Sequence, residues 1–442
     1  MSIKLIEAIY QRQKGALMLI NQDGPLGFNH PKITIVVIIS LLLLSWLLAG
    51  SGVFIAPIAQ AASGVQSSKG PVITVPGGDV AALYNAVYDE NGSPRNNVEI
   101  NLEPGVFQLD PAQPFGGRLV LGEKTTLRST LEMAVDANGV PMVDSNNDPI
   151  VLVEGAKIDG SLLPSAPLGE AEGLIIVRDK GVVEQLWVDS SQRPGVVITF
   201  KGTARKVAST RHIVGFQVQD VGSGTQATLE GNLAAGNVVI GMSLVSNERA
   251  FHPTGNNAEV RGNVHHSASI NNGIVNFLVI GGTGATTNSK VAVEASQNIF
   301  RGAAILGNVR VVGGQNSVPF SGSNNNQVKV NLVNNEITDT GIGLKVEGGN
   351  LVNRPLPLAE RQSSNNEVKI NLSGNTFENN AVDIRVFGSW SQTAEPGGDN
   401  NTVKVVIEGS DPTALTTDIH DCFPEADFPT CTSEANVTFG NN

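Results

Sequence analysis

The sequence predicts an all-β protein, built as a single-stranded solenoid of stacked parallel strands with one short helix at its start. A pattern of alternating apolar residues and Asn-containing turns repeats at an interval of forty residues in the second half of the chain. No helix long enough to connect the strands of an α/β sheet lies between these strands. Because one such unit cannot bury its apolar face alone, the units must stack on one another.

The repeat is clearest between two segments of twelve residues. Residues 326–337 read NQVKVNLVNNEI, and residues 366–377 read NEVKINLSGNTF. We interpret each unit as two short strands joined by a turn. Asn tolerates a left-handed backbone at such a turn, and stacked amides can form hydrogen bonds to one another. The predicted inward ladder is Val291, Val328, Val368 and Val403, and the predicted turn ladder is Asn298, Asn335 and Asn375.

The start of the mature chain predicts a helix and then strands. Asp79 is placed to cap a helix over residues 80–87, whose apolar residues have helical spacing. Period-two alternation predicts strands over residues 98–102 and 106–109. Residues 129–150 are rich in Asp, Asn and Pro without a sustained period, and we interpret them as an inserted loop with no site of its own.

These features together resemble a known family. The Asn-turn repeats, the helix after Asp79, the turn at Glu103–Phe107 and the segment Ile158–Gly160 look like the pectate-lyase-like superfamily, whose fold is a right-handed parallel β-helix. The resemblance covers roughly residues 72–410, and we assign residues 62–410 to the β-helix. It implies a fold but no single activity, because this architecture serves lyases, hydrolases, epimerases, phage tailspikes and noncatalytic surface proteins.

The first 61 residues predict export. Lys32 precedes a largely apolar run from Ile33 to Leu48, and small residues ending in Ala59, Gln60 and Ala61 follow. This order is typical of a secretory signal that is cleaved after Ala61. The alternative is an uncleaved membrane anchor, which would be the chain's contact with a membrane. Both interpretations place the rest of the chain outside the cytoplasm, either secreted, in the cell envelope or anchored.

The two cysteines, Cys422 and Cys431, lie close together in a Pro-flanked stretch near the C-terminus. In an exported protein this spacing favours a disulfide, and the alternative is a pair of reduced thiols. We expect residues 411–442 to form a C-terminal cap, because the open end of a solenoid would otherwise expose unpaired strand edges.

The sequence contains no complete catalytic set of the resembled family. Such enzymes use Asp-bound Ca²⁺ with a basic residue, or paired Asp residues with a His-Gly motif; Ca²⁺ is therefore expected only for a lyase, and no other cofactor or metal site is indicated. Asp159 with Gly160 is interpreted as a structural turn. The candidate catalytic residues are Arg211, His212, Asp220, Arg261 and His265, which stacked turns could bring together. The alternative is that these are ordinary surface and turn residues.

The repeat alignment also places basic residues in two outward columns. The first is Lys329, Lys369 and Lys404, and the second is Arg310, Lys345 and Arg385. Like charges on adjacent strands destabilise a sheet, so we expect these columns to bind an anionic polysaccharide or surface polymer. The alternative is a solvated face whose charge Glu259, Glu294 and Glu367 balance.

The overall charge limits the possible partners. The formal net charge is −12, which argues against binding nucleic acid through a basic surface. Our first functional hypothesis is an exported β-helix protein that binds carbohydrate or another surface polymer without catalysis. The second is a polysaccharide lyase or glycoside hydrolase acting on acidic polysaccharide, and the third is a purely structural surface role without a soluble ligand.

Overall fold

The computed structural model describes residues 70–165, 173–220, 224–246, 257–283, 286–303, 305–315, 322–351, 362–391, 398–409, 412–423 and 432–440. In this part of the chain, the coils between the two ends contribute a strand to sheet 1, then to sheet 2, then to sheet 3, and the next coil pairs in parallel with them. The fold is therefore a right-handed parallel β-helix, as the sequence predicts.

Within the described residues, the strands of each sheet stack in chain order from the N-terminal end. Sheet 1 contains Val72–Val75, Glu99–Leu102, Thr126–Arg128, Gly181–Glu184, Lys201–Arg205, Thr225–Glu230, Glu259–His265, Lys290–Ser296, Gln327–Val333, Glu367–Ser373, Thr402–Glu408 and Glu434–Gly440. Sheet 2 contains Gly105–Gln108, Ala156–Asp159, Trp187–Asp189, Ala208–Thr210, Leu233–Ala235, Ala268–Ile270, Ile299–Arg301, Glu336–Thr338 and Thr376–Glu378. Sheet 3 contains Leu119–Leu121, Ile175–Val177, Val196–Thr199, Val214–Gln219, Ile240–Val245, Val275–Ile280, Gly307–Gln315, Ile342–Leu351, Val382–Ser391 and Thr417–Phe423.

The predicted helix covers the N-terminal end of the coil. It spans Val80–Val87, and Asp79 caps it by accepting a hydrogen bond from the Ala82 amide at 2.9 Å. Its residues Leu83 and Tyr84 are buried against the first coil, and the Tyr84 hydroxyl donates to the Gly117 carbonyl at 2.6 Å. The helix thus gives the first coil an apolar cover and a fixed position.

The repeat units have three strands each, so the interpretation of two strands per unit was wrong. The unit that begins at Gln327 continues through Glu336–Thr338 into the long strand Ile342–Leu351. The middle strand has only three residues, which is too short to show a period. It sits between two turns and therefore looks like part of a turn in the sequence.

The predicted apolar ladder is confirmed. Val328 pairs in register with Val291 on one side and with Val368 on the other, and Val368 pairs with Val403. All four side chains are buried in the hydrophobic core, which is enclosed by the three sheets. The forty-residue repeat therefore reports the register of the stack directly.

Buried amides form ladders at the corners between sheets. At the corner from sheet 1 to sheet 2, the Asn298 side-chain amide donates to Asn335 at 2.9 Å, and Asn335 donates to Asn375 at 2.9 Å, which confirms the predicted turn ladder. A second ladder, at the corner from sheet 3 to sheet 1, was not predicted. It consists of Ser289, Asn326, Asn366, Asn401 and Ser433.

The insertion at residues 129–150 is ordered and packs onto sheet 2. Its ends form a small antiparallel pair, Glu132–Met133 with Val151–Val153. Met133 and Val140 form an apolar cluster with outward residues of sheet 2, such as Leu233. The insertion therefore shields an apolar part of sheet 2 from water.

The C-terminal segment adds strands to the stack. Thr417–Phe423 pairs with sheet 3, and Glu434–Gly440 pairs with sheet 1. Cys422 is buried, but Cys431 lies outside the described residues, so the disulfide stays a prediction. The predicted signal and Ala61 also lie outside them. No helix in the described ranges is long and apolar enough to cross a membrane.

We predict that Asn366→Ala destabilises the fold. The Asn366 side-chain oxygen accepts hydrogen bonds from the backbone amide of Asn326 at 3.0 Å and from its side-chain amide at 2.8 Å. Their loss leaves buried donors unpaired, which costs about 2–4 kcal/mol of unfolding free energy in urea denaturation. The control is Asn371→Ala, which removes an exposed amide contact to Asn331 and should cost less than about 0.5 kcal/mol. Equal losses in the two variants would contradict this account.

Candidate functional site

A column of exposed residues, which we call the basic column, runs along the outer face of sheet 1. The strand register places its members side by side on eight successive strands. They are Lys201, Gln226, Arg261, Ala292, Lys329, Lys369, Lys404 and Asn436. Neighbouring strands are about 4.8 Å apart, so the five cations span roughly 29 Å. The predicted set Lys329, Lys369 and Lys404 is therefore one part of a longer line of positive charge.

The column is only partly neutralised. Arg261 pairs with Glu259 at 2.7 Å, and Lys369 pairs with Glu367 at 2.8 Å. Both pairs are exposed, so each contributes little stabilisation. Within the described ranges, Lys201, Lys329 and Lys404 form no ion pair. Two of the three acids expected to balance the column do so, while the third, Glu294, accepts a hydrogen bond from Asn331 instead.

Uncharged polar side chains line one side of the basic column. Thr203, Thr228 and Asn263 occupy the adjacent outward positions on the earlier strands, and Asn331 and Asn371 occupy them on later strands. The acid Glu294 lies between Asn263 and Asn331 in this row. The Asn371 amide donates to Asn331 at 2.7 Å. Hydroxyl and amide groups both donate and accept hydrogen bonds, so this strip can contact the hydroxyl groups of a polymer whose charges lie over the basic column.

The spacing suits an extended ligand. Three lysines on consecutive strands repel one another, and a polyanion along the helix axis would relieve this repulsion at each strand. One sugar residue of an extended polysaccharide is comparable in length to the spacing between strands. The described face therefore offers repeated, evenly spaced contacts, which is what a linear polymer requires.

The second predicted column has a different environment. Arg310, Lys345 and Arg385 are in register on sheet 3, as predicted. Arg310 and Lys345 are buried, however, and both form ion pairs with the fully buried Glu347, with Arg310 at 2.6 Å. Arg385 pairs with Asp418 at 2.7 Å. Leu344 and Val346 point into the core, so Lys345 between them lies on the outer side of sheet 3 as predicted. The expectation that this column is exposed to a ligand is corrected, because its residues are buried or paired with acids that the repeat alignment does not show.

Burial and charge act in opposite directions on this cluster. Burial alone would raise the pKa of the Glu347 carboxyl, but Arg310 and Lys345 lower it to about 2. Burial lowers the pKa of Lys345, and the nearby Glu347 opposes that shift. The ammonium group of Lys345 also lies 4.2 Å from the ring centroid of Trp390. This arrangement is a buried electrostatic contact that fixes the long strands of sheet 3.

The five candidate catalytic residues lie on different sides of the coil. Arg211 and His212 follow a strand of sheet 2, and Asp220 follows a strand of sheet 3. Arg261 and His265 belong to the strand Glu259–His265 of sheet 1, where Arg261 belongs to the basic column. Asp220 is buried and accepts hydrogen bonds from the amides of Gly224 and Glu259. The structure therefore does not bring the five together in one cleft.

His212 lies inside the corner between sheets 2 and 3. It is fully buried, its Nδ1 is 2.8 Å from the Ser191 hydroxyl, and its backbone amide donates to the Asn237 side chain at 3.0 Å. Burial lowers its pKa to about 4. The neutral ring thus lies inside this corner next to the Ser191 hydroxyl, away from solvent.

Arg211 joins the insertion to sheet 2. Its guanidinium contacts Asp148 of the insertion and lies 2.7 Å from Asp189. Lys157 also lies 2.7 Å from Asp189. Burial would raise the pKa of Asp189, but hydrogen bonds from Arg211 and Lys157 lower it to about 2. Asp189 is in register with Asp159, yet this paired ionised carboxylate is poorly suited to proton transfer.

The repeat pattern does not identify Lys201 and Arg261 as members of the basic column, or Glu347 and Asp189 as buried acids. Coil length varies along the chain, so the alignment could not be extended from Lys329 back to Lys201. Glu347 is two residues after Lys345 on the same strand, which was the available signal for a buried pair.

Comparison with known proteins gives little more. The chain matches no protein-family model and no curated protein sequence. Among solved structures it is similar to the catalytic domain of a GH87 alpha-1,3-glucanase in complex with nigerose. The identity is 11%, the match covers 87% of this chain and 70% of that chain, and the TM-score is 0.28. So distant a similarity says nothing about what this chain does.

We predict that Glu347→Gln destabilises the protein strongly at pH 7. Removing this carboxylate leaves Arg310 and Lys345 buried without a counter-charge, which costs about 3–5 kcal/mol of unfolding free energy. Because the pKa of Glu347 is about 2 in the folded protein, below its ordinary 4.5, its contribution is complete above pH 4.5. That contribution is lost as the pH falls towards 2.

Urea denaturation at two pH values tests this assignment. The difference in unfolding free energy between wild type and Glu347→Gln should shrink by about 1.4 kcal/mol between pH 7 and pH 3.5. Glu367→Gln is the control, since it breaks the exposed pair with Lys369 and should change stability by less than about 1 kcal/mol at both pH values. A pH-independent difference for Glu347→Gln would show that this carboxylate is not ionised in the folded protein.

Proposed function

We propose that this protein binds an anionic polysaccharide or a similar surface polymer along the basic column of sheet 1, without catalysis. The single observation that carries the proposal is the line of five exposed cations on seven successive strands, three of them consecutive. Such a line is costly in the free protein, and a linear polyanion is the ligand that removes this cost at every position.

The charge of the rest of the chain strengthens the proposal. With a net charge of −12, cations gathered on one face stand out against an acidic surface. An anionic ligand is repelled elsewhere and attracted along this face, so the field selects both position and orientation. The neighbouring Thr and Asn side chains supply hydrogen bonds for hydroxyl groups.

The enzyme alternative has less support. A lyase or hydrolase requires a base or acid next to the bound substrate, and the five candidate residues lie on different faces. Arg261 is the one that lies in the basic column, and it pairs with Glu259. In the described ranges no group of three His, Cys, Asp or Glu residues is arranged to hold a metal ion. We therefore propose binding without turnover.

The proposed setting is outside the cytoplasm. We propose that residues 1–61 direct export and that Cys422 and Cys431 form a disulfide near the C-terminal end of the stack. Surface polymers are abundant outside the cytoplasm, so the proposed location is consistent with the proposed ligand. Secretion, attachment to the cell envelope and membrane anchoring are all compatible with this ligand.

We predict that Lys369→Glu weakens polymer binding about thirtyfold at low ionic strength. Each contact between unit charges near 4 Å contributes about 1 kcal/mol in water, and reversal replaces an attraction with a repulsion. The triple variant Lys329→Glu, Lys369→Glu and Lys404→Glu should abolish measurable binding. Binding is measured by calorimetry with a polyuronate, and raising the salt to about 0.5 M should weaken the wild-type interaction.

Two controls separate binding from folding and net charge. Lys206→Glu makes the same charge change at an exposed lysine outside the column and should leave affinity within about twofold, because the net charge alone has a small effect at this distance. Lys369→Glu should leave the unfolding midpoint nearly unchanged, since the new attraction to Lys329 and Lys404 offsets the loss of the exposed pair with Glu367. Unchanged binding in the triple variant would refute the proposal, and new double bonds or reducing ends would favour an enzyme.

A further inference from the structure

A cavity of about 700 Å³ opens at the corner between sheets 3 and 1, beside the start of the basic column. Its lining includes Arg178, Lys180, Lys201 and Phe200. A smaller cavity of about 190 Å³ adjoins it, sharing Lys201 and Gly224 and extending to Gln226 and Arg261. The two cavities therefore form one recess, and the basic column runs out of it.

The cations of this recess are available to a ligand. Arg178, Lys180 and Lys201 are exposed and form no ion pair with any described residue. Two acids also line the larger cavity: Glu123, which pairs with Lys124 at 3.0 Å, and Asp179. Three cations beside these acids suit a ligand that has one negative group and several hydroxyl groups, since carboxylates accept hydrogen bonds from hydroxyls.

Phe200 gives the recess its aromatic surface. It is half-buried, lines the cavity and does not pack against the hydrophobic core. Its φ is +65°, a left-handed conformation that is rare for a bulky side chain. The backbone is held there by hydrogen bonds: its amide donates to the Thr225 hydroxyl at 3.2 Å, and its carbonyl accepts from the Gln226 amide at 2.6 Å.

A left-handed backbone recurs at this corner, as at Lys180 and Asn288, so the conformation belongs to the fold, and at Phe200 it fixes a bulky ring in the wall of the recess. The core gains nothing from the Phe200 ring, while a ring in the wall of a polar recess can stack against the apolar face of a sugar. Cations on the same wall can then hold a carboxylate of that sugar.

We propose that this recess binds the terminal acidic sugar residue of the polymer whose chain lies along the basic column. Phe200 stacks on the sugar ring, and Arg178 with Lys180 binds its negative group. Lys201 belongs to both the recess and the basic column, so the chain passes from one to the other there. This inference rests on the proposed function and adds recognition of a chain end to it.

The test uses the exported chain without residues 1–61 and a uronic acid disaccharide as the probe, with calorimetry as the read-out. We expect the disaccharide to bind and a neutral disaccharide not to bind. Phe200→Asn should weaken disaccharide binding about five- to tenfold, because Asn accepts the left-handed backbone but has no ring. Arg178→Gln should weaken it by a similar factor, while the triple lysine variant should leave it within about twofold.

Stability distinguishes a binding residue from a structural one. Phe200→Asn should leave the unfolding midpoint unchanged or raise it, because relief of the left-handed strain offsets the loss of a half-buried ring. A marked fall in the midpoint with unchanged disaccharide affinity would overturn the assignment of Phe200. A sulfated disaccharide tests the alternative source of negative charge, and tighter binding of it would replace the carboxylate by a sulfate as the recognised group.

The outcomes separate this inference from the proposed function. If the polymer binds and the triple lysine variant loses it, but the disaccharide does not bind, the recess proposal fails and the basic column stands. If the polymer does not bind wild type, the proposed function fails, and disaccharide binding still decides the recess by itself. Equal weakening of disaccharide binding by the triple variant would overturn the separation between recess and column.

Discussion

The register between successive coils is the constraint on which the rest of the structure depends. A buried Asn such as Asn366 forms its hydrogen bonds only when the coils above and below present Asn326 and Asn401 at the same corner. An unpaired buried amide is costly, so a shift of one residue is excluded at each corner. The same register that satisfies the interior amides also aligns the outward side chains. Lys329, Lys369 and Lys404 on three successive coils thereby form a line of positive charge.

In both basic columns the strand register aligns cations, but the surroundings decide whether those cations are exposed or buried. Lys369 and its neighbours lie on the open face of sheet 1 and keep their charges in water. Lys345 is buried on the outer side of sheet 3, where the carboxylate of Glu347 compensates its charge. Since a buried cation without a partner is far more costly than an exposed one, the buried column needed an acid of its own. The exposed column has no such requirement and remains available to a ligand.

The sequence was sufficient for the fold where the coils have equal length. The ladder from Val328 to Val368 and the alignment of Arg310 with Lys345 follow from a repeat that is read directly. It was insufficient where coil length changes, because the separation of stacked residues is 25 at Val207 and Asn232 but 40 at Asn326 and Asn366. Lys201 and Arg261 are therefore identified as members of the basic column only by the strand register of the structure. The recess at Phe200 depends on the backbone conformation of a corner, which no pattern in the sequence predicts.

An acidic protein that carries a basic line discriminates by shape as well as by charge. A compact anion touches one or two cations and still meets the negative field of the surrounding surface, so its net attraction is small. An extended polyanion that lies along the axis meets a cation at most strands between Lys201 and Lys404. The favourable electrostatic free energy of binding grows with the length of this polymer. The repulsion from the flanking acids, by contrast, is screened beyond about 8 Å at physiological salt. The length of the β-helix, set by the number of stacked coils, is thus itself a determinant of which polymers can bind.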